Sequence, residues 1–240
     1  MCKRAVRRKV GCLHHGHRIH SVSDMRKRAT SSPFRTIAVQ FALSYHSMEN
    51  DHNRGDSIRA AYEQHGVDGF YRVEGDSYRN PHEPTIWRAL AQVATAWSLD
   101  LAHVLDLACG SGEATLALRA LGANQIDGID PYTGGAYQAR TGEVAKPYTF
   151  AEIAAGVLAG RSYSLIVCSF ALHLAEQSRL PLLCYRLAEV APSLLILTPH
   201  KRPMLDEAWG WKLREETVIE RVRVRLYERS TVDDDTPSTP

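Results

Sequence analysis

The sequence predicts an α/β fold with a doubly wound, mostly parallel sheet, and three observations carry that prediction. An apolar run at residues 104–108 empties into a glycine turn, Cys109-Gly110-Ser111-Gly112, followed by an alanine-rich stretch at 113–120 that reads as a helix packed back on the strand. A second short apolar run, 126–130, ends in Asp130, 18 residues beyond Gly112. Further on, apolar runs and helical stretches continue to alternate, the order that a parallel sheet covered on both faces requires.

Taken in order, residues 60–65 read as a helix broken at Gly66 and Gly69, and Pro84 opens a second helix over 85–97. Its Ile86, Leu90, Val93 and Trp97 recur at helical spacing as a core stripe. Beyond the glycine turn, 164–168 is a buried strand, and 179–190, with Pro181 in its first turn, is a helix. Residues 193–197 form the next strand, ending at Thr198-Pro199-His200. Residues 217–227 alternate apolar and Arg residues and read as a strand with one solvated face. Residues 211–216 are candidates for its partner, although no tight-turn signal separates the two.

Ligands of such sheets bind at the carboxyl ends of the strands, and there the residues are informative. Glycines at 110 and 112 permit a tight turn and close backbone approach. A dinucleotide fingerprint would continue to a third glycine, but position 115 is Thr, and Asp106 before the turn would repel a diphosphate. An acid there suits a cationic ligand. Asp130 stands near the roughly 20-residue spacing at which a second-strand carboxylate accepts from both ribose hydroxyls. The alternative is that Asp130-Pro131 simply starts a turn.

On these residues the chain resembles the class I S-adenosylmethionine-dependent methyltransferases, whose loop runs acid-x-Gly-x-Gly-x-Gly, and the likeness covers about residues 56–200. Ala108 replaces the first glycine. The resemblance implies a seven-stranded, Rossmann-like methyltransferase sheet with an antiparallel last strand, and S-adenosyl-L-methionine as cofactor. It implies cofactor contacts from Asp106, Ala108, Cys109, Gly110 and Gly112 in the loop, and from Asp130 and Pro131 after the second strand. It adds Glu152 near the adenine and Ser169 and Phe170 after the strand at 164–168. An N-terminal lid, 56–84, would cover the methionine end, with Tyr71 and Tyr78 as aromatic contacts to a sulfonium or as ordinary packing. His173 and His200 are the candidate bases for a hydroxyl or acid acceptor, or structural histidines. Ser169-Phe170-Ala171-Leu172 lacks the Pro-Pro-aromatic motif of amino-group methylation, and Cys168 has no Pro partner for covalent RNA methylation.

Composition bounds the rest. The 240 residues, 44% hydrophobic, suffice for one substantial core. No apolar run approaches the roughly 18 residues of a membrane span. Five cysteines without a C-x-x-C pair read as small apolar residues in a reducing, cytoplasmic setting, with neither disulfide nor metal site. Residues 1–50 hold 10 Lys and Arg against two acids, whereas 51–240 hold 19 against 25. Residues 1–47 therefore read as a basic arm, a mitochondrial presequence or a non-native extension before Met48. The domain is 48–230, and 231–240 is a disordered tail. An acidic body argues against tight nucleic-acid binding. The expected activity is methyl transfer to a small-molecule acceptor. The alternatives are an RNA or protein methyltransferase, an NAD-dependent oxidoreductase, or a catalytically silent relative that binds a partner; oligomeric state is open.

Overall fold

A computed structural model of the chain describes residues 75–230. The expectations for the arm at 1–47, the start at Met48, the helix at 60–65, Tyr71, the lid before residue 75 and the tail at 231–240 lie outside the described residues.

A short 3-10 turn, Gly75–Ser77, leads into helix α1 (Glu83–Ala96), entered through Pro84 and burying Ile86, Ala89, Leu90 and Val93. Strand β1 (Val104–Leu107) is followed by α2 (Glu113–Ala120), and β2 (Ile126–Ile129) by α3 (Gly134–Thr141) and the short α4 (Phe150–Ala154). Strand β3 (Leu165–Ser169), a 3-10 turn at Leu172–Leu174 and α5 (Leu180–Val190) come next. Strands β4 (Ser193–Thr198), β5 (Trp211–Ile219) and β6 (Val222–Arg229) complete the sheet. The strand order is β2-β1-β3-β4-β6-β5. The first four run parallel, and β6 pairs antiparallel with β4 and with β5.

Because side chains alternate along a strand, each short strand supplies both faces. Leu105, Leu107, Ile166, Cys168, Leu194 and Ile196 pack with α4 and α5. Val104, Leu165, Val167, Leu195, Leu197, Val224 and Leu226 pack with α1 and α2. Trp211 is fully buried, and its indole N–H donates to the Cys184 carbonyl at 2.8 Å. The three described cysteines, Cys109, Cys168 and Cys184, are buried free thiols. Among the described residues no helix is long and apolar enough to cross a membrane.

Two expectations need correction. The described sheet has six strands, not seven: where the extra strand would lie beside β2, the chain makes one bridge, Ile129 to Lys146. The ladder ends there because the Tyr148 N–H, the next that would face β2, turns back across Pro147 onto the Lys146 carbonyl at 2.9 Å. The alternating stretch 217–227 is also not one strand. It folds back at Glu220 and Arg221, both with positive φ (48° and 70°), so its first residues join 211–216 in β5 and the rest form β6. Two positive φ values define a type I′ hairpin turn, made here without the Asn-Gly that announces one.

Candidate active site

The carboxyl ends of β1, β2 and β3 open into one cavity of about 380 Å³. The glycine turn forms its floor. Gly110 has φ +56°, and a Cβ there would lie 3.3 Å from the Tyr78 ring. Gly112 has φ +91°, and a Cβ there would lie 2.5 Å from the Thr141 methyl, so a side chain is excluded twice over. Ala108, at the position of the missing glycine, adopts φ +55° and lines the cavity.

Asp130 both starts the turn after β2 and lines the cavity. Its Oδ1 accepts from the backbone N–H groups of Tyr132 (2.9 Å) and Thr133 (3.0 Å), and its Oδ2 from the Gly110 N–H at 3.2 Å. Thr133 Oγ1 returns a bond to the Gly110 carbonyl at 2.7 Å. The carboxylate thus ties the turn after β2 to the glycine turn while it lines the cavity with Pro131 and Tyr132. Each carboxylate oxygen carries two lone pairs, so Oδ2 keeps acceptor capacity for a ligand hydroxyl.

Asp106 does not line the cavity. Strand alternation sends it to the layer of α2, where it is buried and its Oδ2 accepts from Thr115 Oγ1 at 2.6 Å. Thr115 also meets the Tyr137 hydroxyl at 3.1 Å. Its Oδ1 is buried without a hydrogen-bond partner among the described residues. Burial above all, with Glu113 and Asp130 nearby, pushes its carboxyl up to about 7 against the pull of Thr115. Cys109 lines the cavity, and burial, with Asp106 and Asp130 beside it, raises its thiol well above the ordinary range.

Glu113 is the acid that sequence reading missed. It stands in the first turn of α2, where a carboxylate is favoured by the helix terminus, and that ordinary preference disguised it. It is buried, lines the cavity, and accepts from the Asn80 N–H at 2.9 Å and from Ser111 Oγ. Arg140 approaches it at 3.4 Å and also pairs with Glu83. The segment carrying Tyr78 and Asn80 is thereby fastened to the glycine turn. Tyr78 lines the cavity, as expected.

The far wall is mostly aromatic and apolar, with Tyr148, Phe150 and Ala151 on one side and Phe170, Ala171, Leu174 and Ala175 on the other, joined by Ser169 and by Glu176, which pairs with Arg179 at 3.0 Å. Phe170 has φ +56° and stacks on His82, with ring centroids 4.8 Å apart and planes 12° from parallel. Glu152 is not on this wall. Its carboxylate accepts from the Thr149 N–H at 2.8 Å while Thr149 Oγ1 accepts from the Glu152 N–H, a capping box that turns the acid to solvent and leaves Ala151 facing inward.

His173 and His200 come together, but beside the cavity rather than on its lining. Their ring centroids are 4.3 Å apart, tilted by 52°. His173 shares its 3-10 turn with cavity-lining Leu174, and its Nδ1 is buried without a partner among the described residues. Burial, and secondarily His200, lower it to about 4, so it is neutral at pH 7.

No family model matches the chain. A protein of Schizosaccharomyces pombe described only as uncharacterized is 31% identical over 247 residues, covering 80% of this chain and all of that protein. The chain belongs to that protein's family. Among solved structures, a magnesium protoporphyrin IX methyltransferase from Synechocystis PCC 6803, with bound S-adenosylmethionine, is similar at 19% identity. It covers 76% of this chain and all of its own, with a TM-score of 0.48. The mitomycin 7-O-methyltransferase MmcR is similar at 16% identity over 83% of this chain and 69% of its own, with a TM-score of 0.48. A putative RNA methyltransferase from Pyrococcus horikoshii is similar at 13% identity over 65% of this chain and 86% of its own, with a TM-score of 0.49. In this member of the fission-yeast protein's family, the strand order, the glycine turn after β1 and the acid after β2 make up a Rossmann-like, mostly parallel α/β sheet with its cavity at the carboxyl edge.

Proposed function

We propose that this chain transfers the methyl group of S-adenosyl-L-methionine to a small-molecule acceptor. The observation that carries the reading is the charge around the glycine turn: Glu113 and Asp130 stand on the cavity, two carboxylates that favour a ligand carrying positive charge and oppose a diphosphate. That pattern argues equally against the dinucleotide alternative. The cavity, of about 380 Å³, has room for a nucleoside with an amino-acid chain, within the range of ordinary small-molecule sites.

When bound, the cofactor supplies an electrophilic methyl on a sulfonium. The chain's own residues do the rest. Asp130 Oδ2 accepts a ribose hydroxyl, Tyr148 and Phe150 offer flat apolar faces to a base, and Tyr78 presents a ring near Gly110. Phe170, Ala171 and Leu174 exclude water on the acceptor side. His173, neutral at pH 7 and one residue from cavity-lining Leu174, is the base we assign to the acceptor's proton as the methyl transfers. So weak a base suits a reaction whose rate comes mainly from alignment. Three buried free thiols fit a reducing compartment, and we assign the chain to the cytoplasm.

Calorimetric titration of the full chain with S-adenosylmethionine and with NAD tests the cofactor: binding of the first and not the second is expected, and the reverse would sink the reading. Incubation with methyl-labelled cofactor and cell extract separated into small-molecule, RNA and protein fractions tests the acceptor. Label confined to RNA or protein would overturn the small-molecule assignment.

A further inference from the structure

Next to His200, the loop after β4 and the turn between β5 and β6 carry three cations outside the ion pairs of the described residues. Lys201 and Arg202 follow β4, and Arg221 sits in the turn between β5 and β6. All three are exposed, and among the described residues none has a side-chain ion pair or hydrogen bond. The sheet brings them to one edge: Thr198, at the end of β4, pairs with Arg223, near the start of β6, so the chain leaves β4 beside the turn that carries Arg221. Three of the nearby carboxylates are already engaged, while Asp206 and Glu215 are exposed on the same elements. Glu220 is held by Arg88 and by Thr85 Oγ1 at 3.1 Å. Glu216 is shared by Arg223 (3.0 Å) and Arg225 (3.4 Å), and Glu207 faces Lys212 at 3.7 Å.

The loop bearing these cations is fixed from beneath. Arg225 is 2% exposed and spends its guanidinium on the loop backbone, donating to the Lys201 carbonyl at 3.0 Å and the Pro203 carbonyl at 3.1 Å. A buried arginine that holds the main chain inward leaves the Lys201 and Arg202 side chains facing solvent. The same loop carries His200 onto His173, one residue from cavity-lining Leu174. The loop that bears Lys201 and Arg202 thus runs beside the acceptor end of the cavity, at Leu174.

We propose that the methyl acceptor carries a carboxylate or phosphate group, held by Lys201, Arg202 and Arg221 while the rest of the molecule enters the cavity past Phe170 and Leu174; this rests on the methyl-transfer reading above. Two guanidinium groups and an ammonium match one such anion, since arginine binds both groups bidentately. Three cations do not make a nucleic-acid track, which needs many phosphate contacts, and residues 51–240 carry 25 acids against 19 bases.

The test is titration of the full chain with inorganic phosphate and, separately, with succinate, at ionic strength held constant by sodium chloride, with the His173 and His200 imidazole signals followed by NMR. Saturable shifts with one or both anions are expected, and whichever binds more tightly names the group. Binding should weaken about tenfold or more in Lys201→Glu/Arg202→Glu, and less in Arg221→Glu. A Lys201→Gln/Arg202→Gln variant with an unchanged melting temperature should weaken in the same direction. Absence of saturable shifts, or full retention of binding in the charge-reversed double variant, overturns the proposal. A short single-stranded RNA that binds far more tightly than phosphate and needs the same three residues also overturns it. S-adenosylmethionine affinity, measured on the same samples, separates the two readings. Cofactor binding without anion binding defeats only the anion site, whereas anion binding without cofactor binding defeats methyl transfer.

Discussion

The two halves of the cleft are built on opposite principles. On the cofactor side nearly every polar group is committed: Asp130 accepts three backbone N–H groups, Thr133 returns a bond to Gly110, and Glu113 gathers Asn80, Ser111 and Arg140. On the acceptor side His173 Nδ1 is unpartnered among the described residues, and beyond the cavity lining Lys201, Arg202 and Arg221 are exposed and uncommitted. Committed groups preorganise a site for one constant ligand, whereas free donors and charges wait for a partner that completes them. One group breaks the pattern from within the cofactor half: Asp106, buried with an orphaned oxygen.

Asp106 gives the largest expected effect. Its carboxyl stands at about 7 in the folded chain against 3.8 in an unfolded one, so between those values the folded state binds more protons and stability is lost as pH rises. His173 works the other way: lowered from 6.5 to about 4, it removes stability as pH falls through that interval. Comparison with Asp106→Asn isolates the first contribution. From pH 4 to pH 8 the variant should gain about 4 kcal/mol on the wild type in denaturant titrations. An unchanging gap would show that the charge is compensated. Next in size, Glu113→Ala leaves Arg140 and the Asn80 N–H short of a buried partner. It should lower unfolding stability by about 3 kcal/mol, and a loss below about 1 kcal/mol would mean that the fastening is not cooperative.

On the acceptor side, His173→Ala should reduce turnover about 10²-fold with cofactor affinity intact, as read in single-turnover rates once the acceptor is known. Parallel losses in kcat and cofactor affinity would place His173 in the cofactor half instead. Gly110→Val forces a branched side chain against Tyr78 at φ +56°, and Asp130→Ala removes the tie between the turns. Each should weaken S-adenosylmethionine binding at least tenfold, about 1.4 kcal/mol, in calorimetry. The smallest effect belongs to Glu152→Ala, which removes a solvent-exposed cap and should leave that affinity unchanged; a tenfold loss would restore Glu152 to the adenine site.

The parallel half of the sheet was legible because its strands are short apolar runs bounded by glycines and acids, a pattern that local sequence states directly. The β5–β6 hairpin was not. Its turn uses Glu220 and Arg221, residues that rarely take positive φ, so the alternation ran unbroken through the reversal. The seventh strand stops after Lys146, where the Tyr148 N–H turns back on the Lys146 carbonyl, a local turn that apolar patterning does not announce. In the site, Gly110, Gly112 and Asp130 were readable from spacing. The depth of Asp106 was not, because the face a strand residue takes depends on which helix covers which side. Glu113 was hidden for a different reason: its partners come from 33 residues upstream, at Asn80, and from Arg140 at the end of α3.

Ala108 holds the one left-handed backbone position of the cavity floor where glycine would be at ease and is absent. Left-handed geometry penalises a side chain by roughly 1 kcal/mol. Alanine regains much of that, about 0.4–1 kcal/mol, by narrowing the unfolded ensemble that glycine would widen. The two residues are therefore nearly exchangeable here. A third is not, since anything larger keeps the strain and also takes volume from the cavity.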